Sequence, residues 1–490
     1  MPPDKTGEKT MRVCFFADLH LPREVRSPQY SAFRWALSDM RENKTDLAVF
    51  VGDATADGSW EAYSYFLREM EQSGLKYLYI PGNSDLRDPE SEDRIKPLAS
   101  PLVTEIDGVT FVAINDADGK ISPEADEAII NSPKGSVLFM HHPPFAHPNR
   151  EERVKYFKEM TDKKLFFAHV HKYYIEGNTV SLQALDPDKA IGECPALTYY
   201  DTESGEISRT EYPCPVPKDI FPYFGITCYR PEEHIAFAAE HGLPCLELRP
   251  QAVDMDRARL SELISLWRSR GGRHLSVHLH EIDYRDGEAV LAKSTERLVK
   301  MALELGAERL TQHVPRVSVR TVREDGECLT KIARALAEAI SPLGDITVGV
   351  ENMHMTAGEK PDDTRRFGYI PEECLEFMEE LGKWHSGKVG INLDIGHARN
   401  NAPFSSTYQI GAWLAIVGDK AVGYHVHQVI TTEAGFVNHT AITEPYGRLI
   451  SYASFFRMWQ DGEIAKAPMI FEMDGHDAYA TTLAVFDKYR

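Results

Sequence analysis

The sequence predicts an α/β chain in two parts, a sheet-rich first part and a (β/α)8 barrel after it. Three observations carry that prediction. Residues 11–211 alternate short apolar strand runs with two helical stretches and then with hairpin turn signals. Residues 222–490 repeat a strand-then-helix unit eight times, the length and rhythm of a closed parallel barrel. Between them, Tyr212-Pro-Cys-Pro-Val-Pro-Lys218 places three prolines in six residues. Proline continues neither a helix nor a central strand, so residues 212–221 read as a linker. Residues 1–10 are a polar tail.

In the first part, Met11–Asp18 is a buried-strand run and a helical pattern follows over Gln29–Asn43. Leu47–Gly52 is a second strand, Trp60–Gln72 a second helix and Lys76–Ile80 a third strand. From Leu102 onward strands dominate, with turns at Asp107-Gly108, Glu176-Gly177 and Ser204-Gly205. The eight strands of the second part are Phe224–Tyr229, Cys245–Arg249, Leu275–His280, Leu310–Val314, Ile346–Asn352, Val389–Ile395, Val422–Val429 and Met469–Met473. Helical patterns at Glu232–His241, Leu260–Arg268, Ala289–Leu305 and Leu329–Ile340 separate them. No glycine-rich phosphate loop follows the first of these strands, which weighs against an open doubly wound sheet.

Composition narrows the function classes. Of 490 residues, 42% are hydrophobic and 26% charged, which is globular and neither disordered nor collagen-like. The longest apolar runs are strand-sized, and the N-terminus lacks the apolar core of a signal peptide, so a cytoplasmic protein without membrane spans is expected. Net charge is −12 over residues 1–220 and −9 over 221–490, giving −21. Nucleic-acid binding is disfavoured by that balance, which leaves room only for a local basic groove. The seven cysteines are scattered with no CxxC pair, against a disulfide framework. A homo-oligomer is left open.

Five strand-terminal clusters mark the first part: Asp18-Leu-His20, Gly52-Asp53, Gly82-Asn83-Ser84-Asp85, His141-His142-Pro143 and Ala168-His169-Val-His171. Each follows an apolar run, so each sits where a strand delivers its last residues to one sheet edge. Carboxylate, imidazole and amide oxygen are donors that borderline divalent ions accept. One Asp shared between two ions holds them roughly 3.5–4 Å apart, the spacing that in-line attack on phosphorus uses. Each cluster alone is common in loops; five in this order are not.

This order resembles the calcineurin-like metallophosphoesterase family, with its DxH, GD, GN(H/C)(D/E), H and GHxH pattern, over about residues 11–200. The resemblance implies a β-sandwich with flanking helices and two divalent ions, Mn, Fe or Zn. It assigns Asp18, His20, Asp53 and His171 to one ion, and Asp53, Asn83, His141 and His169 to the other. Asp53, Asn83 and His142 are then catalytic, and His142 is the alternative to His141 as ligand. Two departures stand out. Ser84 occupies the place where many members carry a histidine that contacts the phosphate or protonates the leaving group, and Ala168 replaces a glycine. Ser84 is read as substrate-binding, and the missing imidazole favours diesters or activated esters over leaving groups of high pKa.

In a (β/α)8 barrel the strand C-termini build the site. Here they carry Glu247 and Arg249, His278 and His280, His313, Glu351, Asp394 and His397, His425 and His427, and Glu472. Barrel layers prefer Val, Ile and Leu, and burying this many ionisable groups unpaired is prohibitive; a metal offsets that cost. The segments Val350-Glu-Asn352, Leu393-Asp-Ile-Gly-His397, Tyr424-His-Val-His427 and Phe471-Glu472 resemble the xylose isomerase-like barrel superfamily, which includes sugar isomerases, epimerases and endonuclease IV. The resemblance covers about residues 223–475 and implies that Glu351, Asp394, His425 and Glu472 hold a divalent ion (Mn, Zn or Co).

Two chemistries share such a site. In an isomerase, Glu351 and Glu472 are the base candidates, while His397 or Arg249 holds the sugar. In an endonuclease IV-like phosphodiesterase, up to three ions need additional ligands, and His280 (or His278), His313, His397 and His439 supply them in part. That family's Asp two residues before the last histidine is Val437 here. His439 is also a candidate substrate contact. The segment Met353–Tyr369 carries Lys360, Arg365 and Arg366; it reads as a surface loop or as a lid whose arginines Arg365 and Arg366 meet a phosphate. Together these readings predict a bifunctional metalloenzyme with a phosphodiesterase site and a sugar or sugar-phosphate site.

Overall fold

The computed structural model describes residues 11–433, 435–473 and 475–490. The chain divides into two compact units. One runs to Pro215 and takes in residues 451–454; the other comprises Val216–Ile450 and Phe455–Arg490.

Among the described residues, the first unit is built on two sheets. A five-stranded sheet runs in the order Ile207–Glu211, Ala196–Asp201, Arg12–Phe16, Leu47–Val51, Tyr77–Ile80. A six-stranded sheet runs Val103–Ile106, Val109–Ile114, Val137–Met140, Lys164–Phe167, Thr179–Ser181, Tyr174–Glu176. The central strands of each pair in parallel. Alternation assigns the faces. Val13 and Phe15 join Val49, Ile80, Phe139 and Phe166 in one core between the sheets, where Phe15 stacks on Phe166 at 3.7 Å. The opposite face of the first sheet meets helices Pro28–Glu42 and Trp60–Ser73, with Phe50 against Phe66. Ala125, Ile129 and Phe157 cover the second sheet in the same way. This is a β-sandwich with flanking helices.

Helices Pro123–Asn131 and Arg150–Glu159 lie where the sequence suggests mainly strands, and a further helix, Pro89–Ile95, precedes them. Arg150–Glu159 is charged nearly throughout and buries Phe157 alone among its residues, so it carries little apolar periodicity.

In the second unit, eight parallel strands close a barrel. They are Phe224–Cys228, Cys245–Leu248, His274–His278, Arg309–His313, Thr347–Glu351, Val389–Asp394, Ala421–Val426 and Met469–Phe471. Two differences from the expected elements bear on the site. The seventh strand ends at Val426, and the chain continues as a hairpin, Gln428–Thr432 with Gly435–Thr440. The start of the expected helix Ala289–Leu305 is a strand, Glu288–Val290, paired with Asp283–Arg285; the helix itself is Thr295–Leu305. Among the described residues no helix is long and apolar enough to cross a membrane. All seven cysteines are buried and none forms a disulfide.

Candidate metal centres

In the first unit the strand-end loops converge at one edge of the sandwich. Asp18, His20, Asp53, His169 and His171 all have positive φ, between 42° and 68°. Left-handed backbone is uncommon outside glycine and clusters where function holds a chain in place. Each strand thus turns abruptly as it delivers its donor. The loops hydrogen-bond to one another, Asp18 N to Gly52 O at 3.0 Å and His20 N to Asp53 O at 3.0 Å. A Cβ on Gly52 would lie 2.5 Å from His141 Nδ1, and one on Gly82 would lie 2.2 Å from Asp53 Oδ1. Glycine is therefore required at both.

Asp53 stands at the centre. Its Oδ2 is 3.1 Å from His20 Nε2 and 3.5 Å from His141 Nε2. On one side are Asp18 and His171, whose Nε2 is 3.7 Å from Asp18 Oδ1. On the other, His141 Nε2 lies 3.1 Å from Asn83 Oδ1 and 3.3 Å from His169 Nδ1. Asp18, His20 and His171 form one convergent donor group, and His141, His142 and His169 another. Both members of the histidine doublet thus face the cluster: His141 Nδ1 donates to Val51 O, and His142 Nδ1 to Asp116 O.

Ser84 does not face outward with them. It is fully buried, its hydroxyl donates to Thr55 O at 2.7 Å, and its backbone N–H donates to Asp53 Oδ1. A direct side-chain contact to substrate is therefore corrected; Ser84 fixes Asp53.

Three buried carboxylates hold these donors from behind. Asp85 accepts from the N–H groups of Ala54, Thr55 and Gly82. Asp116 accepts from the N–H groups of His141 and His142. Asp186 Oδ2 lies 3.4 Å from His20 Nδ1. Asp116 and Asp186 were missed from sequence. Asp116 follows the apolar strand Val109–Ile114 by two residues, so the strand-end rule that found the other clusters reaches it too.

In the barrel, Glu351 is the hub. Its Oε1 lies 3.1 Å from His425 Nδ1 and 3.6 Å from His313 Nε2, and its Oε2 lies 3.1 Å from His278 Nε2. Glu472 Oε2 is 2.6 Å from the same His425 Nδ1, while its Oε1 accepts from Arg249 and from the Tyr229 hydroxyl. Asp394 is 3.5 Å from His397 and 3.3 Å from His427. Convergent donor groups include His278, His313, Glu351; then Glu351, Asp394, His425, Glu472; then Asp394, His397, His439. Glu351 and Asp394 each belong to two. The hairpin after the seventh strand brings in His439, at φ 56°, beside Asp394 and His397.

Three expectations need correction here. His280 is exposed, because the third strand ends at His278 and the chain turns away; His278 is the inward donor. Arg365 is buried against Glu373, with contacts of 2.9 and 2.6 Å, and does not face the ring. The segment 353–369 is no open lid, since Val319 N donates to Arg365 O and Phe367 N to Val317 O. Arg366 does stay near the ring, on Glu281 at 2.8 Å, and Glu281 in turn meets His313.

The electrostatics test whether cations fit. Burial opposes ionisation of Asp53 and Glu351, yet the imidazoles facing them outweigh it and hold both carboxyls well below the usual range. Burial likewise disfavours charge on His425, but Glu351, Glu247 and Glu472 push it well above an ordinary histidine. These carboxylates demand positive charge, which a divalent ion supplies in place of protons. Asp18 Oδ1 and Asp394 Oδ2 are buried without a hydrogen bond, as lone pairs meant for a cation would be. The donor sets fit divalent metals in both units.

Comparison with known proteins places each of two residue ranges in a family. The sequence model of the xylose isomerase-like TIM barrel matches residues 235–489, and that of the calcineurin-like phosphoesterases matches residues 11–179. A Moraxella catarrhalis protein named "Probable cyclic nucleotide phosphodiesterase" is 27% identical over 85 residues, 17% of this chain and 31% of that protein. The chain thus spans about a third of that relative's length. Among solved structures, a D-tagatose 3-epimerase-like protein is similar at 19% identity over 55% of this chain and 96% of its own, with a TM-score of 0.38. A xylose isomerase domain protein from Planctomyces limnophilus is similar at 13% identity over 56% and 98%, with a TM-score of 0.38. The chain belongs to the xylose isomerase-like TIM barrel family and carries, ahead of the barrel in sequence, a calcineurin-like phosphoesterase domain.

Proposed function

We propose that the chain is a bifunctional cytoplasmic metalloenzyme. Its first unit hydrolyses a phosphodiester or activated phosphoester. Its barrel acts on a small sugar or sugar phosphate. The observation that carries the first half is the place of Asp53, whose one carboxylate oxygen faces His20 on one side and His141 on the other.

In this reading Asp18, His20, Asp53 and His171 hold one ion, and Asp53, Asn83, His169 and His141 or His142 hold the second. Bound there, a pair of divalent ions supplies an activated water and neutralises the phosphoryl oxygens. The protein's own share is positioning. Asp85 fixes the loops that present Asp53 and Asn83, and Asp116 fixes the histidine doublet. No imidazole stands at Ser84 to protonate a leaving group. His142, whose Nδ1 is tied to Asp116 O, is the histidine assigned to that step in this reading. This favours diesters, in keeping with the name of the Moraxella relative.

In the barrel, Glu351, Asp394, His425 and Glu472 would hold a divalent ion, which would supply Lewis-acid polarisation of a carbonyl or hydroxyl. Glu351 and Glu472 move the proton at the adjacent carbon, and Arg249 and His397 orient the substrate. A second reading is a multinuclear barrel phosphoesterase. It is favoured by the two outer donor groups, His278 with His313 and His397 with His439, which a one-ion isomerase leaves idle.

Manganese-supplemented hydrolysis of an aryl phosphodiester by wild type, Asp53→Asn and Glu351→Gln tests both. Loss only in Asp53→Asn supports the main reading. Loss in Glu351→Gln makes the barrel the phosphoesterase. Full activity in Asp53→Asn removes the first unit's role.

A further inference from the structure

Beside the barrel's donor ring lies a cavity of about 350 Å³. Three consecutive strand-to-helix loops wall it. Glu281 comes from the loop after the third strand, Arg316 and Ser318 from the loop after the fourth, and His354, Glu359 and Arg366 from the segment after the fifth. Backbone hydrogen bonds lock these walls together: Arg316 N to Ile282 O at 2.8 Å, and Phe367 N to Val317 O at 2.8 Å. Bridge pairing joins Ser318 to Arg366 and Asp283 to Arg316. The cavity is therefore formed before any ligand arrives.

It adjoins the ring on two sides. His354 packs on His397 with ring centroids 4.8 Å apart. Glu281 bridges Arg366 at 2.8 Å and the ring's His313 at 3.3 Å.

The cavity lining carries two glutamates and two arginines, and these four side chains are not equally committed. Glu359 is spent within its own segment, accepting from Tyr369 Oη at 2.7 Å and from Thr356 N and Oγ1 at 2.7 and 2.8 Å. Glu281 is spent on Arg366 and His313. Arg316 is different. Its side chain is exposed and makes no ion pair or hydrogen bond among the described residues. Arg366 keeps a buried Nε–H without an acceptor, beside the guanidinium nitrogens that bind Glu281 and Val314 O. Glu281 is thus paired with a cation, Glu359 is held as a carboxylate by neutral donors of its own segment, and one arginine remains uncommitted at the cavity wall. A forked guanidinium in a preformed polar cleft matches a phosphoryl or carboxylate group.

We infer that Arg316, with Arg366 in support, forms an anion subsite next to the barrel's metal ring, so that the barrel's substrate carries a phosphoryl or carboxylate group. This rests on the reading that the ring acts on a small metabolite, and it narrows that metabolite to an anionic one.

The test uses the full, manganese-loaded chain carrying Asp53→Asn, which weakens phosphate binding in the first unit. It is titrated calorimetrically with inorganic phosphate and, separately, with acetate. Arg316→Ala should weaken anion binding roughly 10–100-fold, the loss expected of a charge-assisted hydrogen bond, with Arg316→Lys between the two. Arg316 is exposed, so manganese content should not change. Arg316-dependent binding of phosphate marks a phosphorylated substrate, and Arg316-dependent binding of acetate alone marks a carboxylate. Should no sugar phosphate be turned over while this dependence persists, the subsite stands and the isomerase reading falls. Arg316→Ala binding both anions as tightly as its parent overturns the subsite.

Discussion

His425 Nε2 lies 2.9 Å from Glu247 Oε1, so the outer nitrogen of a central ring histidine is held by a carboxylate buried in the barrel. The inner nitrogen faces Glu351 and Glu472. Glu247 is itself anchored, accepting from Thr311 Oγ1 at 2.6 Å and Ser276 Oγ at 3.1 Å and pairing with Arg309. Such partners set the orientation and basicity of a metal-binding imidazole.

Glu247→Gln should therefore lower the barrel's metal affinity by roughly 10–100-fold without touching a ligand. It should also destabilise the unit, because Arg309 is left buried beside an uncharged amide. Metal titration with thermal unfolding checks both. Unchanged metal affinity would reduce Glu247 to a packing role.

Gly82→Ala should abolish phosphodiester hydrolysis. The added Cβ would sit 2.2 Å from Asp53 Oδ1 and 2.5 Å from Asp53 N, both in a rigid turn. Displacing a reacting group by about 1 Å costs on the order of 10²-fold in rate. The readout is turnover of an aryl phosphodiester, with circular dichroism to show that the unit stays folded.

The two histidines at the end of the third barrel strand should separate cleanly. His278→Ala removes a buried neighbour of Glu351 and should lower the bound metal, whereas exposed His280→Ala should leave it at the wild-type level. Equal losses would show that the turn after the strand brings both inward.

Arg365→Ala should act on stability and not on substrate. Glu373 would be left buried, still accepting from Gly368 N and Tyr369 N but without its counter-charge. Breaking a buried pair in this way costs about 3–5 kcal/mol. Denaturant unfolding should show that loss, while KM of the folded variant stays unchanged.

The sequence made the barrel and the donor sets legible for one reason: apolar runs locate strands, and the residues just past them locate the site. That rule reached Asp18, Asp53, Glu351 and Asp394. It failed where a strand stops early. His280 keeps the alternation of His278 but lies beyond the last ladder residue, so its direction is set by the turn and not by the period. It was also blind to partners supplied from elsewhere in the chain. The bond of Arg365 to Glu373, the Ser84 hydroxyl turned to Thr55, and the Asp186 carboxylate behind His20 all depend on loop conformation that no local pattern encodes. The helix Arg150–Glu159 was hidden by its charge, with Phe157 alone marking its inner face.

The central claim is that each unit holds its own divalent ions. Elemental analysis of the manganese-loaded chain, compared with Asp53→Asn and Glu351→Gln, tests it most directly. The account predicts that Asp53→Asn loses the first unit's pair while the barrel's ions remain, and that Glu351→Gln does the reverse. Wild-type metal content in either variant would contradict it.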